Sequence, residues 1–267
     1  MVDVVIRKAS LLERFFPEIH KGATLVPAKV FNPQGLSESV QRQQGLQQMT
    51  TSQEVAAAVA LRELGYTVKS DGAEVSAVDV GAPADGVIQP GDVILSAQGE
   101  VIRSPEDLTR VMSKVKPGDD VTLRIDRKGT EQTLTVGTTA STDNPPRAIM
   151  GILIQPKIDL PVKISIDTGQ IGGPSAGLAF ALDIIDELGP TDIDRGETVV
   201  ATGEMELDGS VEEIGGIKQK TYGARDAGAD VFLVPDANAA AARKYADGLR
   251  IIPVSNLDEA LHALATR

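Results

Sequence analysis

The chain has 267 residues, with 26 glycines, 15 prolines and no cysteine, a length that allows one large domain or two ordinary ones. Its 42% hydrophobic content is enough for real cores, while a net charge of −12 and 3% aromatic residues speak against nucleic acid as a partner, by phosphate repulsion and by want of stacking surfaces. The lack of cysteine excludes disulfides, thiolate metal sites and a cysteine nucleophile.

No apolar run approaches the roughly 20 residues that cross a bilayer, and the apolar part of "MVDVVIR" is too short for a signal peptide. The chain as given is therefore expected to be soluble. Val2 to Ile6 is β-rich and reads as a strand, and "SLLERFF", 10–16, as a short helix. Residues 20–40 carry turn residues without a period. "TTSQEVAAAVALRELG" predicts a helix, with Thr51 and Glu54 at capping-box spacing and Gly65 as its stop.

From Gly65 to Thr138 short β-rich runs take over: "YTVKS", "AEVSAV", "DVILSAQG", "DVTLRIDRKG" and "EQTLTVGT". One helix interrupts them, "SPEDLTRVMSKVKPGD", with Ser104 as N-cap, Pro105 at the first helical position and Pro117-Gly118 as exit. This is a mostly β module, and "TASTDNPPR", 139–147, reads as a linker. Beyond it strand and helix alternate: "VKISI", "SAGLAFALDIIDELGP", "TVVATGEM", "IKQKTYGARDAG", "DVFLVP", "NAAAARKYAD", "LRIIPV" and "LDEALHALA". That alternation implies a layered α/β core.

Few residues offer chemistry. The two histidines, His20 and His262, are isolated and read as structural, which disfavours a Ser-His-Asp triad. No HExxH motif, His/Asp cluster or GxxxxGK[ST] loop is present, so neither metal nor cofactor is expected. "QIGGPSAGLAF" places Ser175 between a glycine-rich turn and an apolar helix. As a bland feature Ser175 is an N-cap. As a nucleophile it has Gly172, Gly173 and Gly177 around it, which clear side chains from the hydroxyl, and helix-start N–H groups that can stabilise an oxyanion. A serine nucleophile needs a base. "EEIGGIKQKTYGA" offers Lys218 at the first turn of a helix, where the positive helix end and apolar neighbours such as Ile214 and Ile217 lower a lysine's pKa. Lys220 is the competitor, placed further into the helix.

With these two motifs the sequence resembles the proteolytic domain of the Lon proteases. "GGPSAG" matches the family's serine stretch, "GGIKQK" its G-G-[LI]-K-x-K stretch, and Ser175 and Lys218 stand 43 residues apart, as the family's pair does. "ATGEMELDG" resembles the TGE-containing strand, in which Thr202 matches a threonine that supports the lysine. "GARDAGADVFLVPDAN" continues the likeness, and "MTTSQEVAAAVALREL" looks like the helix that precedes the serine strand. The module between resembles a PDZ domain: "LGYTV" its carboxylate-binding loop, "GAPADGVIQPGDVILSAQGEVI" its central signature, 104–116 its groove helix.

The resemblance implies an α+β fold: a Lon-type proteolytic domain of mixed α/β layers, split into residues 1–64 and 148–267, with a PDZ domain inserted at 65–138 and a linker at 139–147. It implies an ATP-independent serine endopeptidase acting on unfolded proteins or peptides. Ser175 is the nucleophile, Lys218 the base, Thr202 its support, and backbone N–H groups near Gly173 and Ser175 the oxyanion donors. It further implies a peptide groove at Gly65, Tyr66, Thr67, Val68, Leu108, Val111 and Met112, where a peptide adds as a strand beside "YTV", or else a PDZ unit that only gates access. Similar bacterial proteins are secreted peptidases tethered outside the cytoplasm by an N-terminal membrane helix, an anchor not included in this chain. Lon-type domains often form homo-oligomeric rings, including hexamers. Gly172 departs from the family, in which many members carry an acidic residue three before the serine. Two alternatives stay open: a non-catalytic Lon-like scaffold or adaptor, and a phosphate-ligand enzyme using the glycine-rich helix start.

Overall fold

The structure is a computed structural model that describes residues 2–15, 20, 22–32, 35 and 37–266. It divides into two compact units, Met1–Thr67 with Val162–Arg267, and Val68–Pro161. Phe16, the last residue of the first expected helix, lies outside the described residues.

In chain order the first unit opens with an irregular segment, residues 2–10, followed by α1 (Leu11–Phe15), α2 (Ala28–Phe31) and α3 (Glu38–Glu63). The expected strand over Val2–Ile6 is not formed, because no neighbouring strand pairs with it. α3 starts thirteen residues before the expected Thr51. Its cap is Ser37, whose hydroxyl accepts from Val40 N–H at 3.3 Å, and the Gln-rich stretch that follows favours helix. Thr51 is thus an interior residue. Gly65 ends α3 as expected, with φ +85 and its N–H donating to Arg62 O.

The second unit holds β1 (Lys69–Val78), β2 (Val93–Ala97), β3 (Glu100–Val101), α4 (Pro105–Met112), β4 (Asp120–Arg127), β5 (Thr130–Gly137), β6 (Thr139–Ala140), β7 (Ala148–Ile149) and β8 (Ile152–Asp159). The sheet order is β5-β4-β2-β1-β8, with β3 on β2. Its apolar residues alternate inward, so Val75, Ile94, Leu123 and Ile125 meet Leu108 and Val111 of α4 in one core. α4 is capped as its sequence predicts, Ser104 Oγ accepting from Asp107 N–H. Two sequence readings change here. Residues 139–147 are enclosed by the β6–β7 pair instead of forming a free linker, and residues 148–161 belong to this unit, because β8 pairs antiparallel with β1 from Lys69↔Asp159 to Val78↔Ile152.

The chain then re-enters the first unit through residues 162–176, which form no strand. "VKISI" alternates correctly for a strand but finds no ladder. Instead Gln53 of α3 donates its side-chain amide to Ile166 O and to the Thr168 hydroxyl, giving the Ile166 carbonyl the partner that a ladder would have supplied. α5 (Gly177–Leu188), β9 (Val199–Ala201), β10 (Glu204–Met205), β11 (Val211–Glu212), α6 (Ile217–Asp226), β12 (Val231–Pro235), α7 (Asp236–Arg243), β13 (Arg250–Val254) and α8 (Leu257–Ala265) follow. β9, β12 and β13 form a parallel sheet in the order β13-β12-β9. Parallel neighbours need crossover connections, and the path between β9 and β12 includes α6, that between β12 and β13 α7. Phe232, Val234 and Val200 from the sheet close on Ala224, Ala239 and Ala242 from those helices. α3 packs against α5 through its alanine-rich stretch, where Ala56, Ala57, Ala58 and Ala60 are buried.

Candidate active site

Ser175 stands two residues before the first helical residue of α5, and the N-cap is Ala176, which makes no side-chain cap. Ser175 is therefore not a capping serine, and its hydroxyl is available for other partners. Four contacts fix its loop. Gly173 N–H donates to Gly45 O at 2.8 Å, and Ser52 Oγ to Pro174 O at 2.9 Å. The Ser175 carbonyl accepts from Gly203 N–H at 3.0 Å and from Thr202 Oγ1 at 2.9 Å.

The glycines around Ser175 act differently from one another. Gly173 has φ +97 and open space where a Cβ would stand, so only glycine holds this turn without strain, and the surface there is bare. Gly172 and Gly177 are instead close packing points. A Cβ at Gly172 would lie 2.8 Å from the Gly45 carbonyl carbon of α3, and one at Gly177 2.7 Å from Met205 Cβ. The expectation that all three clear a path for substrate thus holds for Gly173 alone. The N–H groups expected as oxyanion donors, near Gly173 and Ser175, differ in their engagement. The Gly173 N–H is engaged by Gly45, whereas the Ser175 and Ala176 N–H groups have no backbone or side-chain acceptor among the described residues.

The lysine that meets Ser175 is Lys220. Its Nζ lies 2.9 Å from Ser175 Oγ, 3.0 Å from Thr202 Oγ1 and 3.1 Å from the Val2 carbonyl. Lys218, the expected base, donates to Ala23 O at 3.1 Å and sits 5.7 Å from the centre of the Tyr245 ring. The reason is helical phase. Ile217, Lys220, Thr221 and Ala224 recur at the i, i+3, i+4, i+7 spacing of a buried face, and Lys220, Thr221 and Ala224 are buried while Lys218 is partly exposed. The buried-face spacing was present in the sequence and outweighs the dipole position that favoured Lys218.

Lys220 is 4% exposed and Thr202 1%. Burial pulls the Lys220 pKa down to about 8, against a smaller upward pull from the Asp3 carboxylate. Beyond Thr202, burial pushes the Glu204 carboxyl up, reinforced by Glu212, its cross-strand neighbour. Neither histidine hydrogen-bonds Ser175. His20 Nε2 lies 3.1 Å from Glu13 Oε1, and His262 is exposed on α8.

The expected peptide groove is not assembled as foreseen. Leu108 and Val111 are core residues of the second unit, and Met112 packs against that core. Gly65, Tyr66 and Thr67 cluster with the first unit, Val68 with the second. None of the four is in a strand. β1 is flanked by β2 on one side and β8 on the other, so the free edges of the sheet are β5 and β8. Strand addition beside β1 is closed while β8 stays in place.

This mixed α/β unit sets a glycine-loop serine beside a buried lysine. Residues 157–267 match the model of the Lon protease (S16) C-terminal proteolytic domain, and residues 49–138 that of the PDZ domain. The chain thus carries one stretch similar to a Lon proteolytic domain and one similar to a PDZ domain. It is 39% identical to Lon protease 2 of Bacillus subtilis over 39% of its length and 18% of that protein's, and 36% identical to Lon protease of Rickettsia bellii over 45% of its length and 16% of that protein's. The likeness thus spans less than a fifth of those relatives. Among solved structures, the PDZ domain of the SdrC-like protein from Listeria monocytogenes aligns at 25% identity and a TM-score of 0.31, covering 33% of this chain and 93% of that one. No helix among the described residues is long and apolar enough to cross a membrane.

Proposed function

We propose that this chain is an ATP-independent endopeptidase working through a Ser175–Lys220 dyad on unfolded proteins or peptides. The observation that carries the reading is the 2.9 Å approach of a buried Lys220 amine to Ser175 Oγ. A lysine whose pKa is drawn down to about 8 supplies an uncharged amine near neutral pH. Lys220 takes the Ser175 proton as Oγ attacks the scissile carbonyl, and returns it to the leaving amine. The Ser175 N–H, at the start of α5, receives the developing oxyanion. Thr202 anchors both partners, donating to the Ser175 carbonyl and accepting from Lys220.

Cleavage without nucleotide would act on chains already unfolded, which are the substrates this reading assigns. Of the two roles open to the PDZ unit, recognition by strand addition or gating of access, the occupied sides of β1 favour gating. The test is cleavage of a labelled unfolded protein without ATP by the parent chain, Ser175→Ala and Lys220→Ala. Loss in both variants, each still folded as judged by a cooperative thermal melt, supports the dyad, and retained activity in either overturns it. Labelling of the parent by a serine-reactive probe separates this reading from a non-catalytic scaffold.

A further inference from the structure

Residues 2–4 belong to no ladder, yet they are fitted to the helix that carries Lys220. Val4 lies against Gly216, the left-handed residue that opens α6, where an added Cβ would meet Val4 Cγ2 at 2.9 Å. Val2 lies against Gly223, where the corresponding contact would be Val2 Cγ1 at 3.5 Å. Gly216 and Gly223 are two helical turns apart and bracket Lys220. The segment therefore runs antiparallel to α6, and its Val2 carbonyl accepts from Lys220 Nζ between the two glycines.

Proton counting gives that carbonyl a role. An uncharged lysine amine has two N–H bonds and one lone pair. Thr202 Oγ1 spends its proton on the Ser175 carbonyl, so towards Lys220 it is an acceptor. The Val2 carbonyl can only accept. These two groups use both N–H bonds, and the third position, 2.9 Å from Ser175 Oγ, is the lone pair. With either acceptor removed, the amine can turn about its Cε–Nζ bond and present an N–H to Ser175 instead.

We infer that the segment Val2–Val4 is a working part of the active site, and that the Val2 carbonyl is a positioning group which, with Thr202, aims the Lys220 lone pair at the Ser175 hydroxyl. This rests on the Ser175–Lys220 dyad proposed above. When the Ser175 O–H bond breaks and a third N–H bond forms on Lys220, the same two acceptors hold two of the ammonium protons. The third, facing the reacting centre, is the one passed to the leaving amine. Asp3 of this segment is the charged group whose field acts on Lys220. The other nearby cations of α6, Lys218 and Arg225, face the rings of Tyr245 and Tyr222.

The experiment compares the parent chain with a form lacking residues 1–4 and with the double variant Val2→Gly, Val4→Gly. Each is followed across pH by casein cleavage and by the rate of serine-probe labelling, with thermal melting alongside. Expected are a fall in kcat of about tenfold or more with little change in KM, and a rise of the activating pKa by about one unit as the lysine regains solvent. Acetylated Val-Asp-Val-Val-Ile-Arg added in trans restores labelling of the truncated form. A folded truncated form with the parent's kcat and pH profile overturns the inference. If truncation unfolds the protein, Asp3→Asn decides. A docked segment predicts that the activating pKa falls in this variant, and an unmoved profile overturns the inference. A parent that neither labels nor cleaves sinks the dyad itself, and this role with it, whereas an active parent with an equally active truncated form sinks only this role.

Discussion

Lys220 Nζ meets Ser175 Oγ at 2.9 Å across 45 residues of sequence, whereas Lys218 on the same helix donates to Ala23. Two residues along an α-helix turn the side chain by about 200°, so one lysine at most can face the serine. Lys220→Ala is expected to lower kcat for an unfolded protein by about a thousandfold or more, as loss of a dyad member does. Lys218→Ala should remain within about threefold of the parent, since it loses one partly exposed hydrogen bond and a cation–π contact. Steady-state cleavage of labelled casein by the two variants checks both, and the reverse ranking would remove Lys220 as base.

The pH profile follows from the Lys220 value of about 8. The base acts uncharged, so kcat/KM should rise about tenfold per pH unit below that value and level above it. Thr202→Val keeps the shape of the side chain but removes the acceptor for Lys220 and the donor to the Ser175 carbonyl. A loss of about 10- to 100-fold is expected. Initial rates across pH measure both effects, and a flat profile between about pH 6 and 9 would exclude Lys220 as base.

How far the sequence reveals this site depends on the range of each interaction. Ser175, its glycine turn and the helix after it are local, and they stand where the residues imply. The cap on α4 and the stop at Gly65 are local too. The choice between Lys218 and Lys220 was decided by which face of α6 is buried. Ile217, Lys220, Thr221 and Ala224 encode that face, but only burial against Val200 and Phe232 gives it weight. "VKISI" and Val2–Ile6 have strand composition yet form no strand, because a strand needs a partner and no local pattern supplies one. The pairing of β8 with β1 has the same non-local origin, and it moves the unit boundary well past the expected linker.

Burying Lys220 has a stability consequence with a definite sign. Its folded pKa of about 8 lies below the ordinary lysine value of about 10.4. Between those values the unfolded chain binds more protons than the folded one, so stability climbs as pH rises from about 8 to 10.4. At pH 7 the full penalty is present, on the order of 3 kcal/mol. Lys220→Met, which fills the same space without charge, should be more stable than the parent by about 1–3 kcal/mol at pH 7 and should lose this alkaline gain. Thermal or urea melts at pH 7 and pH 10 measure it, and a destabilised variant at pH 7 would contradict the burial penalty.

Gly172 is fixed by Gly45. With a Cβ at position 172 only 2.8 Å from the Gly45 carbonyl carbon, the Ser175 loop and α3 touch backbone to backbone, and Gly173 N–H seals the contact by donating to Gly45 O. Gly172→Asp, which introduces the acidic residue that the family resemblance would place there, must push the loop off α3. It is expected to cost about 1–3 kcal/mol as an overpacked site does, and to lower kcat by tenfold or more, because a displacement of about 1 Å at Ser175 is enough for a large loss. Melting and casein cleavage by Gly172→Ala and Gly172→Asp test this, and full activity in the aspartate variant would show that the loop is not held by this contact.

The final prediction concerns the sheet that holds β1. A peptide that enters a PDZ unit as an added strand needs an unpaired strand edge, and β8 already pairs with β1 from Lys69 to Val78. Leu108 and Val111, which would have lined the groove, are in the core. Peptides ending in a free carboxylate and their amidated counterparts should therefore bind the parent chain equally weakly, with Kd above about 1 mM, where association free energy is only about −4 kcal/mol. Fluorescence polarisation with a labelled apolar C-terminal peptide measures this directly. Micromolar binding that is lost on amidation would mean that β8 yields its place to the ligand.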